Sequence, residues 1–219
     1  RFILVKRPQE KPKGANACRN YGIQLSRGNF INFLDSDDLL DCNKLNYQLK
    51  DLGQNGLSIT TCPWSYFKSR NDLSDINLQP VIFPDFKQLD LFLDHLADHG
   101  IFFPPHAYLI KKSLILKAGA WDEDLIINQD GDFFSRIFIC ANGISYTNNT
   151  GVYYRDKPDV NKVSFLNTKI KAYTVIDSWI RIEKRYINRF GRPTKLIKAA
   201  KQEVLRNLNR DFPEIIKER

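Results

Sequence analysis

The stretch GNFINFLDSDDLLD, Gly28 to Asp41, joins a strand-like apolar run to a dense group of acids. The run NFINFL predicts a strand that enters a hydrophobic core. It ends in Asp35, Asp37 and Asp38, with Asp41 close behind. Carboxylates this close repel one another unless positive charge lies between them. The stretch therefore predicts a strand that carries an acidic site at its carboxyl end.

Two interpretations of these acids stay open at this point. A divalent cation such as Mg²⁺ or Mn²⁺ takes one or two protein carboxylates and completes its shell with substrate phosphates. In α/β sheets, ligands also bind at the carboxyl ends of strands. Alternatively, Ser36, Asp37 or Asp38 caps the helix that follows and complements its dipole. The two roles are compatible.

Size and composition fit a globular protein with one sizeable core, or one domain plus an extension. The chain has 219 residues, of which 42% are hydrophobic and 26% charged. Its longest apolar runs are shorter than the roughly 18–20 residues of a membrane-spanning helix. The four cysteines are scattered without metal-ligand spacing, which favours reduced thiols and a cytoplasmic location. The net charge of +8 favours acidic partners.

Strand and helix patterns alternate along most of the chain, which predicts an α/β fold. Strands are predicted at 2–5, 29–34 and 57–67, and helices at 16–26, 39–56, 86–100 and 129–143. Beyond residue 165 the pattern changes to basic helices. We therefore predict an α/β domain over 1–165 and a basic helical extension over 166–219. The extension is either an exposed hairpin packed on the domain or a contact with an anionic membrane.

Two separated motifs resemble the family 2 glycosyltransferases. The first lies in KGANACRNYGIQLSRGNFINFLDSDD and the second in AGAWDEDLIINQDGDFFSRIFICANG, followed by a closing Tyr-Arg pair. The first motif matches at Gly14, Arg19, Asn20, Gly22, Gly28, Asp35, Asp37 and Asp38. The resemblance covers roughly Val5 to Ser164.

The resemblance implies a GT-A fold, which is a Rossmann-like nucleotide-sugar domain with a mixed sheet, and an inverting, metal-dependent transfer. It implies that Asp35 contacts the nucleotide ribose or the metal. It also implies that Asp37 coordinates Mn²⁺ or Mg²⁺ on the donor diphosphate, while Asp38 assists or caps a helix. Asp130 is implied as the general base that deprotonates the acceptor hydroxyl.

Three further residues are expected to contact substrate. By the same resemblance, Arg19 and Asn20 shape the nucleotide pocket. His106 lies where such enzymes often contact the acceptor or the donor sugar, although a histidine there also serves as a structural hydrogen-bonding group.

The second motif contains one departure and one competing base. Gln129 stands where the family usually has Glu, which removes a like charge beside Asp130 and predicts a less elevated pKa for that carboxyl. Asp132 competes as the base. In a helix it lies about 200° around the axis from Asp130, and the motif register favours Asp130.

The expected function is transfer of a hexose from a nucleotide-diphosphate sugar to a saccharide or lipid-linked acceptor in cell-surface polysaccharide synthesis. The location is expected to be cytoplasmic, with a possible site at the inner face of the plasma membrane. The alternative is a non-catalytic relative that binds sugar or acts as a scaffold. A nucleic-acid partner is disfavoured because no aromatic-basic recognition motif is present. The family's first strand-helix-strand unit is missing, so these residues alone are expected to bind donor weakly.

Overall fold

The computed structural model describes residues 3–69, 72–73, 78, 83–156 and 166–217. The elements, in chain order, are α1 (Ala15–Leu25), β1 (Phe30–Ile31), β2 (Leu39–Leu40), α2 (Lys44–Asn55), β3 (Ile59–Thr61), β4 (Trp64–Phe67), α3 (Leu89–His99), a 3₁₀ turn (Pro105–Ala107), β5 (Leu109–Lys111), α4 (Lys112–Ala118), α5 (Gln129–Cys140), β6 (Ile144–Tyr146), β7 (Val152–Arg155), α6 (Lys169–Phe190), α7 (Lys195–Asp211) and α8 (Pro213–Lys217).

The strands form two mixed sheets, and with the helices they make up an α/β fold, as predicted. The first has the order β1-β5-β3-β6, in which only the β3/β6 pair is parallel. The second has the order β2-β7-β4, with β2/β7 antiparallel and β7/β4 parallel. The acids that follow β1 therefore lie between the two sheets along the chain.

The segment predicted as one strand over 57–67 divides between the sheets. Cys62 and Pro63 separate β3 from β4. A proline has no N–H to donate to a ladder, and the Pro63 carbonyl accepts a hydrogen bond of 3.0 Å from the Val152 amide. The chain thus leaves the first sheet at this proline and enters the second.

Two local predictions are wrong. Residues 3–5 form no strand, and Phe2 lies outside the described residues; Leu4 is fully exposed and has no strand neighbour that would bury it. The helix predicted over 39–56 begins only at Lys44, because residues 39–40 pair with β7 instead.

The helix-cap interpretation of the acids is also wrong. Within the described residues, α2 begins at Lys44, and its N-cap residue, Asn43, makes no side-chain capping hydrogen bond. Asp41 comes nearest, since its Oδ1 accepts a 2.8 Å hydrogen bond from the Asn43 amide just before the helix. The acids at 35–38 are therefore not explained by helix capping.

The C-terminal helices pack against the α/β core. Helix α6 packs on α5, and α7 packs on α3. Ile182, Tyr186 and Ile197 are buried in the same hydrophobic cluster as Phe133 of α5. Gly191, with φ of 74°, ends α6 in the left-handed conformation that favours glycine at a helix end. The domain boundary at 165 stays a prediction. Within the described residues, no helix has the length and apolarity needed to cross a membrane.

Candidate active site

The acidic loop after β1 is held at its base by an asparagine. Asn32 Nδ2 donates hydrogen bonds to the carbonyls of His106, at 3.0 Å, and Tyr108, at 2.5 Å. These bonds tie the loop to the segment that runs into β5. Asp35 extends from the loop with about half of its side chain exposed and accepts two hydrogen bonds from Arg19, at 3.1 and 3.3 Å.

Arg19 connects three segments of the chain. Its guanidinium lies 4.5 Å from the centre of the Trp121 ring, a cation–π contact that restrains the side chain. One end of the group contacts Asp35, and the other lies 3.8 Å from Asp130 Oδ1. Asp35 and Asp130 are 95 positions apart in the sequence, so this arrangement is a product of the fold.

Asp130 lies in the first turn of α5. A Cβ on Gly131 would clash with the Asn128 side chain, which donates a 2.9 Å hydrogen bond to Ser178 of α6. The glycine therefore lets Asn128 fasten the start of α5 to α6, and this holds Asp130 in place. The Asp130 side chain is 54% exposed. Partial desolvation raises its pKa; the positive charge of Arg19 opposes the rise and the negative charge of Asp35 adds to it.

Asp38 is buried behind the loop, where its carboxylate contacts Arg155 and His106. Its Oδ1 accepts a 2.9 Å hydrogen bond from the Arg155 amide, and its Oδ2 lies 3.2 Å from His106 Nδ1. The Arg155 side chain donates to the Asp37 carbonyl at 2.9 Å and to the Lys68 carbonyl at 3.1 Å. Arg155 thus anchors the acidic loop to the end of β7.

Burial controls the charge state of the Asp38–His106 pair. Burial raises the pKa of Asp38 to about 6, helped by the neighbouring charges of Asp37 and Asp35 and opposed by the Arg155 amide. Burial lowers the pKa of His106 to about 4. At neutral pH the histidine is therefore neutral, and its Nδ1–H donates to an ionised Asp38.

A cleft of about 550 Å³ opens beside these acids. Helix α1 supplies one wall, including Arg19, and β1 with residues 32–36 supplies the floor, including Asp35. Pockets of roughly 300–1,000 Å³ are typical of small-molecule sites. Because Asp35 and Arg19 lie at its edge, the cleft brings a ligand next to Asp130.

Two carboxylates fit a hard cation. Within the described ranges, no three Asp, Glu, His or Cys side chains converge as a complete ligand set. Asp35 and Asp37 nevertheless offer the one or two carboxylates that Mg²⁺ or Mn²⁺ takes when phosphate oxygens supply the rest. Arg19 already supplies part of the positive charge at Asp35, so the pair is not an excess of uncompensated acid.

Two sequence-predicted residues are placed away from the cleft. Asn20 is buried, with its amide bonded to the Trp121 carbonyl at 2.9 Å and to Glu123 at 2.8 Å, and its oxygen bonded to the Trp121 amide. It therefore fixes α1 to the segment before α5 and does not line the pocket. Asp132 is buried and bonded to Arg136 and Arg185, so the geometry does not present it to substrate.

The sequence assigned no role to Tyr154 and Arg155, the closing Tyr-Arg pair. Arg155 anchors the acidic loop, and the Tyr154 ring stacks on His106 at 5.9 Å and 10°. Their motif was visible in the sequence, but their partners lie more than 40 positions away. Long-range pairing of this kind has no local signal.

The fold and the site define a class of protein. Mixed α/β sheets, a cleft beside an acidic loop and a separate carboxylate across it are the features of a GT-A nucleotide-sugar domain. A family model described as glycosyltransferase like family 2 matches residues 3–167. The chain belongs to that family.

Relatives and solved structures agree with this assignment. A protein named as an uncharacterized glycosyltransferase from Methanocaldococcus jannaschii is 32% identical over 138 residues, which are 62% of this chain and 44% of that protein. An uncharacterized glycosyltransferase from Rickettsia bellii is 50% identical over 46 residues, which are 21% of this chain and 7% of that one. The chain therefore spans less than half the length of these relatives.

The structural likeness supports the GT-A fold. A crystal structure of S. aureus TarS 1–349 in complex with UDP-GlcNAc superposes with a TM-score of 0.61 at 15% identity, covering 92% of this chain and 54% of that one. A second, in complex with UDP, has a TM-score of 0.58 at 16% identity, covering 89% and 50%. At this identity the likeness shows the fold alone.

Proposed function

We propose that the protein transfers a hexose from a nucleotide-diphosphate sugar to an acceptor hydroxyl with inversion at the anomeric carbon. The observation that carries the proposal is the Arg19 bridge, which contacts Asp35 at 3.1 Å and approaches Asp130 at 3.8 Å at the mouth of the cleft. An inverting displacement needs one group of residues for the leaving diphosphate and a separate base for the incoming hydroxyl. The bridge holds both within the span of one guanidinium.

The acidic loop and Arg19 form the donor side of the proposed site. Asp37 and Asp35 would hold Mn²⁺ or Mg²⁺, and the cation would supply positive charge against the negative charge that develops on a departing diphosphate. Arg155 holds the loop from behind through the Asp37 carbonyl. The contact between Asp38 and His106 holds the rear of the loop in place.

Asp130 is the general base of the proposal. Its exposed carboxylate removes the proton from the acceptor hydroxyl as that oxygen attacks the anomeric carbon, a contribution of about 10²–10⁴-fold. Partial desolvation raises its pKa, and this makes the carboxylate a better proton acceptor. The positive charge of Arg19 opposes the rise.

The proposed setting is the cytoplasmic face of the plasma membrane, in cell-surface polysaccharide synthesis with a saccharide or lipid-linked acceptor. Residues 169–217 carry thirteen Lys and Arg against five Asp and Glu. Helices α6, α7 and α8 also enclose an apolar groove of about 360 Å³ that includes Trp179 and Leu205, with Lys201 at its edge. Basic charge beside an apolar face favours contact with anionic lipid.

Metal-dependent nucleotide binding tests the proposal. We expect the full-length protein to bind UDP or GDP with Mn²⁺ far more tightly than without it in calorimetric titrations. UDP comes first because the similar TarS structure holds UDP-GlcNAc. Asp37→Asn should weaken Mn²⁺-dependent binding at least about tenfold, since it removes one anionic ligand.

The matched control is Asp98→Asn on α3, which removes one member of a half-exposed surface ion pair with Lys195 of α7. This variant should bind the nucleotide as the wild type does. Equal binding by Asp37→Asn and the wild type would contradict the proposed donor site. The non-catalytic alternative would be favoured if the wild type bound nucleotide with Mn²⁺ but transferred no sugar, and if Asp130→Asn behaved in the same way.

A further inference from the structure

Four aromatic side chains form a surface cluster next to the candidate site. We call Trp64, Tyr66, Phe102 and Tyr154 the aromatic platform. The Trp64 ring lies 5.0 Å from Tyr66 and 4.5 Å from Phe102, and Tyr66 lies 5.6 Å from Tyr154, between ring centres. Tyr66 and Phe102 are each 50% exposed. Large apolar rings left open in a contiguous group mark a binding surface more often than chance packing.

The local structure makes the platform rigid. Tyr66 on β4 and Tyr154 on β7 are direct partners in a parallel pair, and Trp64 lies two residues earlier on β4, so all three rings share one face of the sheet. The Trp64 Nε1–H donates a 2.6 Å hydrogen bond to the Phe102 carbonyl, which fixes the indole. A preorganised surface loses little side-chain entropy when a ligand binds.

The platform is continuous with the catalytic machinery. The Tyr154 ring stacks on His106 at 5.9 Å, and His106 Nδ1 lies 3.2 Å from Asp38. His106 Nε2 is buried and has no hydrogen-bond partner in the part of the chain that the structure describes. Burial raises the pKa of Tyr154, and the negative charges of Asp38, Asp130 and Asp35 raise it further, which places its hydroxyl in the field of those acids.

We propose that the aromatic platform is the binding surface for a saccharide acceptor, which it leads toward Asp130. This inference rests on the proposed function and specifies its acceptor: a sugar chain, as opposed to a polyol phosphate or a bare lipid. A pyranose ring has an apolar C–H face and a rim of hydroxyls. The platform offers flat rings for that face and the Tyr66 and Tyr154 hydroxyls for the rim, which is the combination of apolar body and polar tip that tyrosine supplies at interfaces.

A lipid chain or a polyol phosphate suits this surface less well. An acyl chain fits a closed apolar groove, whereas two platform rings are open to water. A polyol phosphate has no flat apolar face to place on the rings, and none of the four platform side chains carries a positive charge that would bind its phosphate. The chemistry of the platform therefore favours an uncharged sugar ring.

Saccharide binding to variants of the full-length protein tests the inference. The probes are maltotetraose, cellotetraose and chitotetraose, with glycerol 3-phosphate as the polyol-phosphate probe. Each is titrated in the presence of saturating UDP and the diamagnetic cation Mg²⁺ and followed by saturation-transfer NMR. We expect at least one tetrasaccharide to bind the wild type. Tyr66→Ala should weaken it about 3- to 10-fold, the range set by the loss of one ring contact, and Tyr66→Phe should lie between the two.

The control variant is Tyr47→Ala, which removes a similarly exposed tyrosine from α2, outside the platform. It should bind saccharide as the wild type does, and all variants should keep the wild-type UDP affinity. Equal saccharide binding by Tyr66→Ala and the wild type overturns the inference, as does binding of glycerol 3-phosphate alone or of none of the probes. If UDP itself fails to bind, the proposed donor site has failed, and this readout is separate from the saccharide titration.

Discussion

The first turn of α5 presents two aspartates to two different regions of the molecule. Asp130 faces solvent, with 54% of its side chain exposed, and Arg19, which lines the cleft, approaches it at 3.8 Å. Asp132 faces the interior, where its side chain is 2% exposed and bonds Arg185 at 2.7 Å and Arg136 at 2.9 Å. The same residue type thus supplies the proposed general base on one side of the helix and a structural ion pair on the other.

The difference follows from the number of partners. Asp132 is shielded from water and accepts hydrogen bonds from the guanidinium groups of Arg136 and Arg185. Its contact with Arg185 joins α5 to α6. Asp130 has one distant guanidinium and keeps open oxygen surface, so it can still accept a proton. A carboxylate that reacts must retain unsatisfied capacity, and one that stabilises the fold must not.

The largest expected effect is on turnover. Asp130→Asn should lower the rate of nucleotide release in the presence of acceptor by about 10²–10⁴-fold, because the general base is lost. The melting temperature should stay within about 2 °C of the wild type, since the side chain is largely exposed. The measurement is nucleotide release from a panel of UDP- and GDP-hexoses, and an unchanged rate would remove Asp130 from the proposed role.

The next largest effect is on stability. Whereas Asp130→Asn should affect turnover, the substitution of Asp132 should affect the free energy of unfolding. Asp132→Asn should lower the free energy of unfolding by about 3 kcal/mol in urea denaturation, because Arg136 and Arg185 lose their shared counterion inside the protein. If Asp130→Asn destabilises as much as Asp132→Asn, the distinction between the two sides of α5 is wrong.

The ion pair should also leave a signature in acid. Burial of Asp132 raises its pKa, but the hydrogen bonds and charges of Arg185 and Arg136 outweigh burial, and the net pKa is lowered. The stabilisation is therefore fully present above the unfolded-state pKa of about 3.9 and disappears as the pH falls through the lower folded value. Wild-type stability should fall more steeply than that of Asp132→Asn below about pH 4.

These two aspartates also show which features of the site could be predicted from the sequence alone. Helical spacing and motif register separated Asp130 from Asp132, and the acids after β1 indicated the site, because those signals are local. The Arg185 partner of Asp132, the Arg155 anchor of the acidic loop and the Trp121 bonds of Asn20 depend on contacts between distant segments. The strand at 39–40 was missed for the same reason, since its pairing with β7 outweighs the helical spacing of its leucines.

Lys44 extends the comparison to a buried charge that forms no ion pair with a carboxylate among the described residues. It is fully buried on α2, and its Nζ donates a 2.6 Å hydrogen bond to Gln48. Burial lowers its pKa to about 8, while the Cys62 thiol acts weakly in the other direction. Below pH 8 the lysine is charged in both the folded and unfolded states, so folding carries the full cost of burying the charge.

This isolated charge gives the smallest expected effect. Between about pH 8 and the ordinary lysine pKa of about 10.4, the unfolded chain binds more protons, so wild-type stability should rise with pH. Lys44→Met should remove that rise and add about 1 kcal/mol at pH 7, because relief of the buried charge exceeds the loss of the Gln48 hydrogen bond. Lys50→Met, at an exposed position of the same helix, is the control for urea denaturation at pH 7 and 9.5. If the stability of Lys44→Met rises with pH as steeply as that of the wild type, the ammonium group of Lys44 is solvated in solution. Lys44 would then behave as a surface charge, unlike Asp132.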